Sequence, residues 1–114
     1  MYQFGDILLL AFPFTNAVNA KKRPALVISD TNDGDLILAH ITTQPHTSDY
    51  DVIIENWQSS GLLAPSILRL HKIATIENIL IDKQIGKLTG NDSKKVIDVI
   101  FQIVESFKNK HTNG

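Results

Sequence analysis

The sequence predicts one mainly β domain with a single C-terminal helix, arranged as a small barrel or curled antiparallel sheet on which the helix packs. Short apolar runs separated by turn residues occupy residues 5–88. From residue 93 to 108 the apolar residues instead recur at helical spacing and form one broad stripe. The length of 114 residues suits a single domain, 1–114, with the helix over about 90–108 and a flexible tail to the end.

Six strands are predicted in chain order. Their sequences are DILLLAFPF, PALVIS, LILAHITT, YDVIIEN, ILRLHKIATI and KQIGKL. The pair Asp33-Gly34 between the second and third runs predicts a hairpin. Pro13 limits the end of the first strand to an edge or a bend, and residues 15–22 have the composition of a surface loop. Thr89 and Asp92 resemble a capping arrangement at the start of the helix.

Composition excludes several classes of protein. The hydrophobic fraction is 43% and the charged fraction 20%, as in ordinary globular domains. The chain has no cysteine, so disulfides and thiolate chemistry are excluded. The apolar run near the N-terminus is too short to cross a bilayer, and it has no basic segment before it. We therefore expect a cytoplasmic protein without a membrane partner.

No cofactor is expected. The sequence contains no H-E-x-x-H metal motif, no phosphate-cradling glycine loop and no G-x-S-x-G element. The net charge is −1, whereas nucleic-acid-binding proteins usually carry excess Lys and Arg. Any such binding must therefore depend on a local cluster of cations.

The cluster Lys21-Lys22-Arg23 stands directly before Pro24. Proline forces the preceding residue into an extended conformation, so the Arg23 guanidinium projects in a defined direction. Paired N–H donors then suit a phosphate or a carboxylate. The alternative is a surface arginine between solvated neighbours.

Two strands carry polar residues on one face. In AHITTQ the period of two places His40, Thr42 and Gln44 together, and in ILRLHKI it places Arg69 beside His71. A cation next to an imidazole disfavours its protonation and keeps it basic near neutral pH. The alternative for both strands is a solvated outer face over an apolar core.

Taken together, the segments resemble the MazF/PemK family of toxin endoribonucleases, from Gly5 into the terminal helix. The segments that carry the resemblance are GDILLLAFPF, KKRPALVISD, LILAHITTQ, PSILRLHKIATI and KQIGKLT. The resemblance implies an SH3-like barrel that forms a homodimer. It also implies metal-independent cleavage of single-stranded messenger RNA at short sequences, and neutralisation by a cognate antitoxin protein.

The resemblance also implies site residues. The family's active-site arginine and threonine correspond to Arg23 and Thr42. The Arg-x-Asp pair of the PemK-like branch falls on Arg69 and His71, so histidine occupies the acidic position. His40 replaces a residue that is often proline or alanine.

A mechanism with four catalytic residues follows as a hypothesis. The 2′-hydroxyl of RNA attacks the adjacent phosphorus, which requires a base, stabilisation of the developing charge and protonation of the 5′-oxygen. His71 is the expected base, and Arg23 and Arg69 hold the phosphate, with one of them assisting protonation of the leaving group. Thr42 donates to a non-bridging oxygen. The products are a 2′,3′-cyclic phosphate and a 5′-hydroxyl.

Further residues are predicted to contact RNA through backbone or base atoms. These are Thr15, Asn16, Lys21, Lys22, His40 and Gln44. A solvated loop is the alternative for the first four. Two other functions stay open: a CcdB-like toxin that poisons gyrase by binding, and a catalytically degenerate barrel that only binds nucleic acid.

Overall fold

The computed structural model describes residues 1–11 and 21–113. Pro13 and most of the predicted loop 15–22 lie outside these ranges. The strands are β1 (Asp6–Leu10), β2 (Arg23–Asp30), β3 (Asp35–Thr42), β4 (Asp51–Ile54), β5 (Ser66–Glu77) and β6 (Lys83–Lys87). The helix α1 covers Gly90–Asn113. The predicted mainly β class with a C-terminal helix is confirmed.

The described strands form one antiparallel sheet in the order β4-β5-β3-β2-β1-β6. The predicted hairpin joins β2 to β3. Asn32 and Gly34 adopt positive φ angles of 61° and 95°, and the Thr31 amide donates to the Asp35 carbonyl at 3.3 Å. Because β3 lies in the middle of the sheet, both of its neighbours can place side chains beside its own.

The helix is longer than its apolar stripe predicts. It runs to Asn113, so residues expected in a flexible tail after 108 continue the helix. Lys110 and His111 lie in its last turn, where positive charge complements the negative end of the helix dipole. At its start, the Asp92 amide donates to Thr89 Oγ1 at 3.4 Å, while the Asp92 carboxylate accepts from the amides of Glu55 and Asn56.

The two faces of the sheet bury separate apolar clusters. On the first face, α1 packs over a cluster whose largest members include Leu26, Ile41 and Leu68. On the other face lies a smaller cluster made of Leu8, Leu10, Ala25, Val27, Leu36, Leu38 and Ile76. β1, β2 and β3 contribute to both clusters, since successive side chains of a strand point to opposite faces.

In the middle of strand β5, the alternation of side chains between the two faces of the sheet is reversed. Ala39 pairs with Ile73, but the next residue, His40, pairs with Arg69, so residues 70–72 have no partner in β3. This bulge turns the strand over. Leu68 therefore contacts the cluster under α1, and Ile76 the cluster on the opposite face. The first half of β5 also pairs with β4.

The connection from β4 to β5 reaches across to β6 at the other edge of the sheet. A Cβ added at Gly61 would lie 2.0 Å from the Ile85 carbonyl oxygen, and one at Gly86 only 1.9 Å from the Ser60 carbonyl oxygen. Two backbones without side chains therefore meet there, and their contact curls the sheet towards a barrel.

Candidate active site

The strand register aligns polar side chains on the face opposite α1. Arg69 in β5 pairs with His40 in β3 on one side and with Asp51 in β4 on the other. Directly opposed residues of antiparallel strands point to the same face. Asp51, Arg69 and His40 therefore form a row across three strands, and Ala25 of β2 ends it.

A pocket of about 180 Å³ lies at one end of this row. Arg23 and Pro24 line it from β2, and His40, Thr42 and Gln44 line it from β3 and the residues after it. Thr42 Oγ1 accepts a hydrogen bond from the Gln44 amide at 3.1 Å, which directs the hydroxyl proton towards other acceptors. The pocket thus presents a guanidinium and a hydroxyl donor side by side.

A second pocket, of about 500 Å³, adjoins the first through His40. Its lining consists of cationic and imidazole side chains: His40, His46, Arg69, His71 and Lys72. Arg and Lys side chains attract anions, and neutral imidazoles can accept protons. Such a lining is suited to binding a phosphate group and to transferring a proton close to it.

Arg69 is fixed by a buried carboxylate. Its Nε lies 2.8 Å from Asp51 Oδ1, and its Nη2 lies 3.5 Å from Oδ2. The Ser48 amide and hydroxyl donate to Asp51 Oδ2 at 2.9 and 2.8 Å. Burial raises the pKa of Asp51, but the bonds from Arg69 and Ser48 outweigh it and lower this pKa to about 2. Asp51 therefore stays ionised and orients Arg69.

The imidazoles of His40, in this row, and of His71, in the bulge of β5, are held neutral. Burial lowers the pKa of His40, and repulsion from Arg69 and Arg23 lowers it further. Burial and Arg69 also lower the pKa of His71. The ring of His71 lies 5.3 Å from that of Tyr50, centroid to centroid. Without a bound anion, both histidines are therefore neutral near pH 7.

Comparison with known proteins decides the family. The family model described as PemK-like, MazF-like toxin of type II toxin-antitoxin system matches residues 3–104. The chain belongs to this family of toxins. The family predicted from the motifs is thereby confirmed. No curated protein matches the sequence significantly.

Solved structures share the fold of this PemK/MazF-family toxin. An endoribonuclease in complex with its cognate antitoxin from a Mycobacterial species has a TM-score of 0.75 and 15% identity, with 92% of this chain and 96% of that chain covered. The Mycobacterium tuberculosis toxin MazF-mt6 has a TM-score of 0.72 and 20% identity, covering 88% and 96% respectively. The predicted fold type of these toxins is therefore confirmed.

The toxin brings together most of the residues that the sequence predicts for its site. Arg23, Thr42, His40 and Gln44 line the smaller pocket, and His40 joins it to the pocket that holds Arg69 and His71. Their roles in catalysis and RNA contact remain predictions.

The remaining predicted RNA contacts lie elsewhere. Lys21 is exposed and lines neither pocket. Lys22 Nζ lies 3.3 Å from Asp82 Oδ2, an ion pair directed towards β6. Thr15 and Asn16 lie outside the described residues.

Three residues of the site were not predicted from the sequence: Asp51, His46 and Lys72. Asp51 is separated from Arg69 by 17 intervening positions, and only the pairing of β4 with β5 shows that they meet. A useful signal was nevertheless present, because a carboxylate at the start of an otherwise apolar edge strand needs a partner.

The described residues contain neither a metal-binding cluster nor a membrane-spanning helix. In the ranges 1–11 and 21–113, no group of three or more His, Asp or Glu side chains comes together as a metal site requires. Within the same ranges, no helix has the length and apolar character needed to cross a membrane.

Proposed function

We propose that this toxin is an endoribonuclease that cleaves single-stranded RNA, messenger RNA above all, at preferred sequences without a metal ion. The observation that carries the proposal is the gathering of Arg23, Thr42, Arg69 and His71 around two pockets joined by His40. Solved structures of the same fold include proteins named as endoribonucleases, which supports this choice.

The phosphate lies between the two arginines in this proposal. Arg23 approaches from β2, and Arg69 approaches from β5 with its orientation set by Asp51. A preoriented guanidinium needs little reorganisation when charge develops on the phosphorane, so it stabilises the transition state more than the ground state. Thr42 adds a hydroxyl donor to a non-bridging oxygen.

His71 removes the proton from the 2′-hydroxyl. It lies two residues from Arg69 in the same pocket and is exposed, so a ribose can reach it. The environment lowers its pKa through burial and through Arg69, which keeps the ring neutral at pH 7. The attack forms a 2′,3′-cyclic phosphate and leaves a 5′-hydroxyl.

RNA on either side of the cleaved bond extends past Gln44 and His40 in the smaller pocket, and towards Lys21 and Lys22 at the start of β2. Thr15 and Asn16 are further candidate contacts. Lysines contribute affinity that is independent of sequence and weakens with salt. Since RNA is the substrate, we place the action of the toxin in the cytoplasm.

Two protein partners belong to the proposal. One is a cognate antitoxin, as in the complex of the structurally similar Mycobacterial endoribonuclease. The other is a second copy of the chain. Helix α1 exposes Ile97, Phe101, Val104 and Phe107, whose side chains are 43 to 65% exposed. A row of large apolar side chains on a monomer is typical of an interface.

The decisive experiment is cleavage of a defined single-stranded RNA by the purified toxin, with analysis of the ends. We expect a 2′,3′-cyclic phosphate and a 5′-hydroxyl, undiminished activity in excess EDTA, and no cleavage where the attacking ribose is replaced by 2′-deoxyribose. A 3′-hydroxyl product, or activity that EDTA removes and a divalent ion restores, would contradict the mechanism. Gyrase inhibition without RNA cleavage would contradict the function itself.

A further inference from the structure

Among the four catalytic residues, only an arginine was expected to help protonate the leaving group. When the 2′-oxygen attacks, the bond between phosphorus and the 5′-oxygen breaks, and that oxygen leaves as a strongly basic alkoxide unless it is protonated. A guanidinium keeps its proton under all ordinary conditions, so neither arginine is a good donor. The reaction needs a second group that titrates near neutral pH.

His40 occupies the position where such a group is needed. It lies in the central strand β3, directly opposite Arg69 of β5, and it lines both the pocket of Arg23 and Thr42 and the pocket of His71. A phosphate held by both arginines is therefore beside His40. His71 contacts the same larger pocket from the β5 bulge, so the two imidazoles approach one bound phosphate from different strands.

The charges around His40 come from every neighbouring element. Arg23 faces it from β2, Arg69 and Lys72 from β5, and His46 from the segment after β3, while Asp51 of β4 is paired with Arg69. Burial comes first among the influences that lower the pKa of His40, followed by repulsion from these cations. A bound phosphodiester anion offsets that repulsion and favours the imidazolium, so the proton arrives together with the substrate.

We propose that His40 is the general acid that protonates the leaving 5′-oxygen, while His71 is the base. The inference rests on the proposed ribonuclease function. The bond between the 2′-oxygen and phosphorus forms as His71 takes the 2′-hydroxyl proton, and the bond to the 5′-oxygen breaks as His40 supplies its own proton. His71 ends protonated and His40 neutral, and exchange with water restores both.

The test uses two substrates of one sequence, one with the natural 5′-oxygen and one with sulfur in that bridging position. A thiolate leaves without a proton, so the sulfur substrate does not need the acid. For His40→Asn we expect cleavage of the oxygen substrate to fall about 10²–10⁴-fold. Cleavage of the sulfur substrate should stay near the wild-type rate. His71→Asn should be slow on both substrates, and His111→Asn, at the exposed end of α1, is the matched control.

Each other outcome is decisive. Wild-type speed of His40→Asn on the oxygen substrate, or equal loss on both substrates, overturns the role of His40 as acid. Rescue of His71→Asn by sulfur reverses the two roles and overturns the assignment. If the wild type cuts neither substrate, the proposed function fails, and this inference fails with it.

The pH dependence of the wild-type rate tests the proposal even if His40→Asn does not fold. The rate on the oxygen substrate should rise and then fall with pH, because one imidazole must be neutral and the other protonated. With the sulfur substrate, the fall in rate at alkaline pH should disappear, because that fall is caused by deprotonation of the general acid. The two substrates showing the same alkaline fall would overturn the proposal.

Discussion

At the scale of single residues, the site combines an ionised carboxylate with neutral imidazoles. Asp51 is kept ionised by Arg69 and Ser48, whereas burial and Arg69 keep His40 and His71 neutral in the absence of substrate. Asp51 therefore serves as a positioning residue, because a carboxylate with a pKa of about 2 is a weak base at neutral pH. In the proposed mechanism this division leaves proton transfer to the imidazoles.

Replacing Arg23 by alanine should reduce the rate of RNA cleavage about 10²–10³-fold, because one preoriented donor to the transition state is lost. The side chain is exposed, so the free energy of unfolding should change by less than about 0.5 kcal/mol. Initial rates on a fluorogenic RNA and urea unfolding measure the two effects. Lys94→Ala, an exposed cation on α1, is the control. Full activity of Arg23→Ala would remove Arg23 from the site.

Replacing Asp51 by asparagine should lower the free energy of unfolding by about 1–2 kcal/mol at pH 7. The pKa of Asp51 is lowered to about 2, so its ionised form favours the folded state above the ordinary value of 3.8. That contribution is lost as the pH falls through about 2. The difference between variant and wild type should therefore shrink over this range.

Urea unfolding followed through the single tryptophan, Trp57, measures the effect at each pH. Asp49→Asn, at an exposed position two residues before Asp51, is the matched control and should change little. A difference between Asp51→Asn and wild type that stays constant from pH 7 to pH 2 would show that the carboxylate charge is not responsible.

At the scale of secondary-structure elements, the contact between the β4–β5 connection and β6 closes the fold. Gly61 and Gly86 meet with no room for a side chain, and the Asp92 carboxylate ties the Glu55 and Asn56 amides to the start of α1. These contacts hold the segment after β4 against elements that are distant in sequence.

Gly86→Ala should lower the free energy of unfolding by about 3 kcal/mol or more, because its Cβ would overlap the Ser60 carbonyl oxygen, a backbone atom that cannot rotate away. Gly90→Ala is the matched control. A Cβ at Gly90, the first residue of α1, meets no atom within 4 Å, and alanine favours helix. Thermal and urea unfolding compare the two variants. Equal stabilities would show that the backbones do not approach this closely.

The elements could be predicted from the sequence, but their pairing could not. Alternation and the Asp33-Gly34 turn predict each strand to within a few residues, because both are local signals. In β5, apolar residues stand at 68, 70, 74 and 76, and Lys72 interrupts this alternation within the bulge where the strand turns over. One lysine does not specify a bulge or its length. The contact of Asp51 with Arg69 could not be foreseen either, because it depends on the pairing of β4 with β5.

At the scale of the whole molecule, the two faces of the sheet differ in what covers them. One face is covered by α1, and the other carries an apolar cluster at one end and the polar row of the site at the other. The outer side of α1 exposes Ile97, Phe101 and Val104 to solvent.

The exposed row on α1 leads to a prediction about assembly. Phe101→Lys should convert a dimer to monomers at micromolar concentration, because a charge would replace a 64% exposed phenylalanine at the centre of the row. Gln102→Lys, on the neighbouring side of the helix, should leave the mass unchanged. Light scattering coupled to size exclusion gives the mass of each variant. A dimer that persists in Phe101→Lys would place the interface elsewhere.

The bulge at residues 70–72 separates β5 into two independently paired halves. A residue inserted within the paired half 66–69 would shift its register against β3 and β4 by one residue. The side chains beyond the insertion would then point to the opposite face, and the site would be lost. A residue inserted in the bulge is absorbed without any strand changing its partner. In the course of evolution, the side chain at position 71 can therefore be moved relative to Arg69 one backbone unit at a time, while the rest of the toxin keeps its fold.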